Sequence, residues 1–310
     1  MKCSYEFNHG SGSNVDDAHC IGYRYDARWE WTPESGESWV IELRDHKLHC
    51  VLVQPGWLTD LWHSPTGGVF SSFVNGRVVR NLEPTSPPDA WTTDTLSGTL
   101  AGIWGLADDL VFTWGQRDGK PYMLRWDGKV WAEIGVPGFV VAVHGIRPDL
   151  IYAVGREGLL ARWDGNAWSA LASPLASTLS AVFVSSDDET YACASSGQLL
   201  AGSTHGWAPI ASHARMLHAV ARFAGSIWVG GGPDGLLRLD GGQLVPLKPN
   251  IKAKRLDARA GGLLITAPDA VVETRDGQRF WGQKIDGFSG IVADQSPSWV
   301  GTPREGPGTS

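Results

Sequence analysis

The feature that most constrains the fold is an internal repeat marked by the box Trp-Asp-Gly-x-x-Trp. Residues 124–131 read LRWDGKVW, and residues 161–168 repeat the pattern as ARWDGNAW, 37 positions later. An Asp-Gly pair between two apolar runs indicates a tight hairpin, because type I′ turns need positive φ at both central residues. A repeat period of this length is typical of propellers and solenoids. Weaker copies of the box lie at 203–207, 239–244 and 275–281.

Each copy of the box is preceded by the same order of local patterns. A short apolar stretch, a turn rich in Asp, Pro or Gly, and a second apolar stretch begin at residues 100, 140, 179, 217 and 254. With the two stretches that flank the box, each unit has four short strands in about 39 residues, which is the content of one propeller blade. The predicted units are 57–98, 99–138, 139–177, 178–215, 216–252 and 253–287.

The two ends of the chain complete the ring in this interpretation. Residues 288–293 and 298–301 match the opening strands of a unit, and residues 39–43 and 48–53 match its closing strands. Placing first and last strands in one blade removes sheet edges that would otherwise be exposed. The predicted fold is therefore all-β: a single β-propeller of seven four-stranded blades, closed by N- and C-terminal strands that share a blade. Six or eight blades are the alternatives.

This fold divides the chain into parts with different expected order. The parts are an N-terminal extension that is partly disordered and has at most one strand (1–37), the propeller (38–302), its closing blade (38–56 plus 288–302) and a flexible tail (303–310). Gly, Ser, Asn and Asp dominate residues 8–18, so we expect this stretch to be mobile.

Tryptophan is abundant, and its place in the repeat indicates packing. The chain has 16 Trp, several times the usual number, and its 39 Gly and 18 Pro imply many tight turns. Trp126 and Trp131 flank one hairpin, and Trp163 and Trp168 flank the next. Such large rings are suited to the widening wedge between the outer strands of neighbouring blades. We therefore interpret the box as a structural device.

The units resemble the degenerate bacterial propeller repeats described as YVTN- or BNR-like, whose consensus includes V-W-A-V-G followed by W-D-G-x-x-W. The resemblance covers roughly residues 57–301 and is strongest over 99–177. It implies the fold but no activity, because such repeats occur in very different proteins. The chain departs from the sialidase-type Asp box, since residues 125–131 lack its Ser and its spacing.

Charge and motif content exclude several classes of function. The formal net charge of −7 argues against a broad basic field that coats nucleic acid. No apolar run suits a signal sequence or a membrane span, so we expect a cytoplasmic protein without a membrane partner and with free thiols. We find no nucleophile, phosphate-loop or zinc motif, and expect no cofactor and no catalytic residue. His46 and His49 precede Cys50, but positions i and i+3 of a strand face opposite sides, so we expect no metal site.

Candidate binding residues lie where the repeat varies although its flanks do not. In a propeller the innermost strands line a central channel, and their ends open onto one face. Four aromatic residues occupy corresponding positions near the ends of innermost strands, where later units have Ala or Val. The predicted channel-mouth residues are Trp62, Trp104, His144 and Phe183, with His63, Arg222 and Arg259 beside them.

A basic segment between two blades is the second candidate. Lys248, Lys252, Lys254 and Arg255 lie on or beside one connection of an otherwise acidic chain. Because the connection belongs to one face of the disc, these residues favour an acidic partner or an anion. The alternative is an exposed loop that only aids solubility.

The whole pattern favours a non-enzymatic protein-interaction propeller, monomeric on its own, that binds another protein. The specific hypothesis is a bacterial toxin-neutralising (immunity) protein, because a rigid disc presents many loops and complementary charge guides such partners. One alternative is a hydrolase or lyase at the channel mouth, which predicts that His144 converges with Arg222, Arg259 or His63. The other is a carbohydrate-binding propeller, which predicts exposed Trp residues repeated between blades.

Overall fold

The chain forms a ring of seven sheets. The computed structural model describes residues 3–26, 36–44, 47–83, 91–284 and 291–299. Seven four-stranded antiparallel blades are present, as predicted, and one of them carries a fifth strand. The first strands of successive blades contact one another around the ring, and those of the last and first blades also meet. Helical structure in these residues is limited to the 3₁₀ turns Arg156–Gly158 and Gly232–Asp234.

Blades 1 to 4 take up the first part of the chain. Blade 1 consists of β1 (Cys3–Asn14), β2 (Asp17–Asp26), β3 (Glu37–Arg44) and β4 (Lys47–Pro55). Blade 2 consists of β5 (Leu58–His63), β6 (Val69–Phe73), β7 (Arg77–Asn81) and β8 (Thr92–Thr95). Blade 3 consists of β9 (Thr99–Ala107), β10 (Leu110–Arg117), β11 (Lys120–Trp126) and β12 (Trp131–Glu133). Blade 4 consists of β13 (Val140–Arg147), β14 (Leu150–Gly155), β15 (Leu160–Trp163) and β16 (Trp168–Ala170).

Blades 5 to 7 complete the ring. Blade 5 consists of β17 (Leu179–Val184), β18 (Thr190–Ala194), β19 (Gln198–Ser203) and β20 (Gly206–Ser212). Blade 6 consists of β21 (Ala219–Phe223), β22 (Ser226–Gly230), β23 (Leu236–Asp240) and β24 (Gln243–Lys248). Blade 7 consists of β25 (Arg255–Arg259), β26 (Gly262–Ala267), β27 (Ala270–Thr274) and β28 (Trp281–Lys284). The six repeat units predicted from the sequence each contain one of blades 2 to 7.

The expectation for the N-terminal residues is wrong. Residues 8–18, expected to be mobile, end β1 and begin β2, and β1 is the innermost strand of blade 1. The reason lies in its glycines, which permit close packing. A Cβ atom on Gly10 would lie 2.3 Å from the Thr266 hydroxyl oxygen on β26, and one on Gly12 would meet Ala18 at 2.4 Å. The small residues of β1 therefore fit a crowded position where blades 7 and 1 meet.

The blade that joins both ends of the chain is built differently from the prediction. It does contain N- and C-terminal strands, but β1 and β2 supply its inner positions. The C-terminal strand β29 (Ile291–Trp299) pairs in parallel with β4 at the outer edge. Because the inner positions are already filled, the free edge of β4 is the place left for a further strand. His46, residues 27–35, the end of the predicted closing blade (300–302) and the tail 303–310 lie outside the described residues.

The tryptophan boxes pack as the sequence predicts. The ring centroids of Trp126 and Trp131 are 5.4 Å apart, and those of Trp163 and Trp168 are 5.6 Å apart. Trp163 is only 1% exposed and belongs to the apolar cluster between blades 3 and 4. The turn between the paired rings is not type I′, since only its glycine has positive φ. Instead, the Asp127 carboxylate accepts the backbone N–H of two later turn residues, each at 2.9 Å.

Candidate functional site

The first strands of all seven blades line a central cavity of about 500 Å³. These strands begin at one face of the disc and end at the other. We call the face where the first strands begin the connecting face, because the connections between blades lie there, including residues 249–254. We call the face where the first strands end the turn face, because it carries hairpins such as 64–68 and 127–130. The cavity reaches from His218, before β21, to Gly261 in a hairpin of the turn face.

A buried polar cluster lies on one side of the cavity. His9 Nδ1 is 2.8 Å from an Asp60 carboxylate oxygen and 2.8 Å from Arg255 Nη2. Asp60 also accepts the backbone N–H of Leu61 at 2.9 Å, and its second oxygen lies 3.5 Å from Arg255. Burial lowers the pKa of His9, and the Arg255 charge lowers it further, so the imidazole stays neutral near pH 7. Arg255, which neighbours Asp60, helps to hold the pKa of that carboxyl below its usual range despite burial.

A second polar cluster closes the ring, and we call it the clasp: Ser11, Asp257, Arg259 and the His63 backbone. One oxygen of Asp257 accepts the Ser11 hydroxyl at 2.9 Å, the Gly12 N–H at 3.0 Å and Arg259 Nη2 at 3.0 Å. Arg259 Nη2 also donates to the His63 carbonyl at 2.6 Å. The nearby Arg259 charge lowers the pKa of Asp257 although burial opposes this. The clasp therefore joins blades 7, 1 and 2 through charge-assisted hydrogen bonds.

An aromatic arc lies on blades 3 to 5. The ring centroids of Trp104 and His144 are 5.9 Å apart, and those of His144 and Phe183 are 4.5 Å apart. His144 Nδ1 accepts the Val184 backbone N–H at 3.0 Å, which requires that nitrogen to be unprotonated. Burial lowers the pKa of His144 to about 4. The imidazole is therefore a neutral link between blades 4 and 5.

The structure brings together only some of the predicted channel-mouth residues. Trp62, Trp104, His144 and Arg259 line the cavity. Phe183 stacks on His144, outside the lining. The His63 ring is buried against His19, with centroids 5.0 Å apart, and contributes its backbone to the clasp. Arg222 instead pairs with Glu189 at 3.4 Å on the turn face. His144 therefore does not converge with Arg222 or the His63 ring.

The predicted basic segment leads into the cavity. The Lys248 ammonium lies 4.7 Å from the centroid of the Phe280 ring, and Lys252 is exposed. Lys254 is half-buried, and it adds to the effect of burial, which is the main cause of the lowered pKa values of His9 and His218. Arg255 lines the cavity itself. The two sites that the sequence suggested separately are thus continuous through Arg255.

Several polar residues of the cavity were missed by the sequence reasoning. His9 and Ser11 lie in a stretch rich in Gly, Ser and Asn whose composition predicts a mobile terminus, so the sequence alone does not single them out. Asp60 did offer a signal, since it is a carboxylate within the otherwise apolar run of β5. The sequence gives no signal for Asp257, because an aspartate within a basic segment resembles an ordinary surface residue.

Other features of the described residues limit what this site can be. They contain no cluster of three or more His, Cys, Asp or Glu side chains suited to a metal ion. Cys20, Cys50 and Cys193 are free and buried, and burial raises the pKa of the first two thiols to about 12. Trp281, 47% exposed, is the one tryptophan with a described side chain that is largely exposed. None of the helical segments described is long and apolar enough to cross a membrane.

Comparison with known proteins identifies the fold and no family. The sequence matches no protein-family model and no curated protein. Among solved structures, the WD40 β-propeller domain of Doa1 is similar with a TM-score of 0.66 and 12% identity, over 93% of this chain and 99% of that one. YCF48 bound to D1 peptide is similar with a TM-score of 0.55 and 15% identity, over 73% of this chain and 80% of that one. YCF48 from Cyanidioschyzon merolae is similar with a TM-score of 0.52 and 15% identity, over 73% of this chain and 84% of that one.

Proposed function

We propose that this propeller is a non-enzymatic interaction protein that binds an acidic segment of a partner protein at its connecting face. The observation that supports this most is the continuity of the basic segment with the cavity. Lys252 is exposed on the connection, Lys254 follows it, and Arg255 enters the cavity. Cations held on a rigid ring form a preorganised site, which lowers the entropic cost of association and speeds encounter with an oppositely charged partner.

The fold is compatible with such a partner. YCF48, a propeller of similar fold, has been solved with D1 peptide bound. In this chain the clasp ties blades 7, 1 and 2 together further along β25 than Arg255, towards the turn face, so the ring that carries the basic segment does not depend on the partner for its shape. A preformed site of this kind suits tight binding, because little ordering accompanies association.

The specific form that we propose is toxin neutralisation in the bacterial cytoplasm. Neutralisation needs a stable surface that covers a partner, and it needs no reacting group on the neutraliser. The test is to co-express this protein with the product of the neighbouring gene, and to measure co-purification, affinity and rescue of growth. A complex with nanomolar affinity and restored growth is the expected result.

A matched pair of charge reversals tests the surface. Lys252 on the connecting face and Lys129 on the turn face are both exposed, and both lie between strands. Lys252→Glu should weaken partner binding by about tenfold or more, because a like charge now faces the acidic segment, whereas Lys129→Glu should change it little. Binding should also weaken as salt is raised. Equal effects of the two variants, or growth rescue that both leave untouched, would refute the proposed surface.

A further inference from the structure

The central cavity is amphipathic, with an apolar arc facing a charged one. On blades 4 to 6 its wall is made largely of small side chains such as Ala142, Ala181 and Ala219, with Trp104 beside them on blade 3. On blades 7, 1 and 2 the wall carries Arg255 and the clasp. A volume of about 500 Å³ is within the usual range for small-molecule sites, which combine an apolar wall with a few polar groups.

The charged arc has donors to spare and no spare carboxylate. Asp60 and Asp257 are both occupied by arginine and by backbone N–H groups. The Arg255 side chain is 37% exposed and lies 3.5 Å from Asp60, and its Nη2 lies 2.8 Å from His9 Nδ1, the nitrogen that Asp60 also approaches. Arg255 lies beside Asp60 and Arg259 beside Asp257, while burial keeps the cavity histidines neutral, so no further anion of the described lining faces the exposed side of Arg255. The arc is thus suited to one negative charge.

The apolar arc also carries an unsatisfied donor. Trp114 lines the cavity where Gly102 leaves room, since a Cβ atom on Gly102 would lie 2.3 Å from the Trp114 ring. The Trp114 side chain is buried, its residue being 2% exposed, and its Nε1–H has no hydrogen-bond partner among the described residues. Because the Nε1 atom is shut off from the cavity surface, Trp114 contributes its apolar ring to the wall.

We infer that the central cavity binds a small carboxylate with an aromatic or branched apolar body. The carboxylate would pair with Arg255, and the body would lie against Trp104 and the alanines. A dianion such as phosphate fits less well, because Asp60 and Asp257 stand close to the same arginines. This site adjoins the proposed partner surface through Arg255, but binding of a small acid can be measured without the partner.

Calorimetric titration of the full chain with three related probes tests this inference. Indole-3-acetate should bind with one-to-one stoichiometry, indole-3-acetamide about tenfold or more weakly, and tryptamine not at all, because only the first carries the negative charge. Phenylacetate and cyclohexylacetate extend the test to other apolar bodies. A peptide that ends in a Trp with a free carboxylate distinguishes the sources: tighter binding than indole-3-acetate assigns the carboxylate to a chain end, and weaker binding assigns it to a free acid.

Cavity-filling variants locate the binding. Ala181→Leu places a larger side chain in the cavity and should abolish binding of the acid, whereas Ala208→Leu, on an exposed position of β20, should leave it unchanged. Arg255→Met should remove the preference for the acid over the amide. The inference is overturned if all three acids fail to bind at millimolar concentration, if acid and amide bind equally, or if Ala181→Leu binds like the unaltered protein.

Discussion

Removal of the Asp257 carboxylate should open the ring at the clasp. Asp257→Ala leaves the Ser11 hydroxyl and the Gly12 N–H without their acceptor, and it leaves Arg259 without its counter-charge. Breaking a buried ion pair by removal of one partner costs about 3–5 kcal/mol. The Asp257 and Arg259 side chains are 25% and 19% exposed, so hydration of the remaining arginine offsets part of this cost. We therefore expect unfolding free energy to fall by about 2–4 kcal/mol, and by roughly half of that for Asp257→Asn, which keeps an acceptor oxygen.

Urea denaturation followed by tryptophan fluorescence measures this loss. Asp240→Asn is the matched control, because Asp240 is 66% exposed and lies 3.7 Å from its arginine. It should change the free energy of unfolding by less than about 0.5 kcal/mol. A double-mutant cycle with Ser11→Ala should give a coupling energy of about 0.5–3 kcal/mol. If Asp257→Ala is no more destabilising than the control, or if it is additive with Ser11→Ala, the clasp does not hold the ring together.

Two further predictions concern the interfaces between blades. The pKa of His144 is about 4 in the fold and ordinarily about 6.5, so folding favours the neutral ring. The contribution of His144 to the free energy of unfolding is therefore complete above pH 6.5 and is lost as the pH falls towards 4. His144→Phe should therefore reduce the loss of stability over this window by on the order of 3 kcal/mol, measured by urea titrations at several pH values, and an unchanged pH slope contradicts the argument. In the same assay, Trp163→Ala should lower the free energy of unfolding by about 3–5 kcal/mol and Trp281→Ala by less than about 1 kcal/mol, because only the Trp163 side chain is buried. Similar losses for the two variants would rule out the wedge role of Trp163.

The repeat was enough to predict the blades, because hairpin turns and alternating apolar strands are local signals. Residues 124–131 and 161–168 specify the same hairpin in blades 3 and 4, and the turn residues need no distant partner to be recognised. The one local error there is the turn type. The sequence of Asp127 and Gly128 is compatible with several turns, and the side chain of Asp127 selects a wider one by accepting two backbone N–H groups.

The closing strands of the first blade were predicted at 39–43 and 48–53, but its inner strands β1 and β2 and half of the cavity could not be predicted in this way, because their signals are long-range. Gly10 and Gly12 look like linker residues until Thr266 and Ala18 are placed beside them. Asp257 and Ser11 are 246 positions apart, so no local window contains the pair. Trp62, Trp104 and His144 were identified because repeat alignment compares equivalent positions, whereas His9 belongs to a strand that the alignment did not include.

The distance along the chain between the two halves of the clasp has a consequence for biosynthesis. Ser11 emerges from the ribosome 246 residues before Asp257. At about 5–20 residues per second, roughly 12–50 s pass before the strand that β1 must meet has been made. During this interval blades can form one after another as an open arc whose two terminal surfaces both lack a neighbour. Ring closure is therefore the last step, and a variant weakened at the clasp should be most vulnerable to aggregation and proteolysis while the chain is being synthesised, even where the finished ring remains stable.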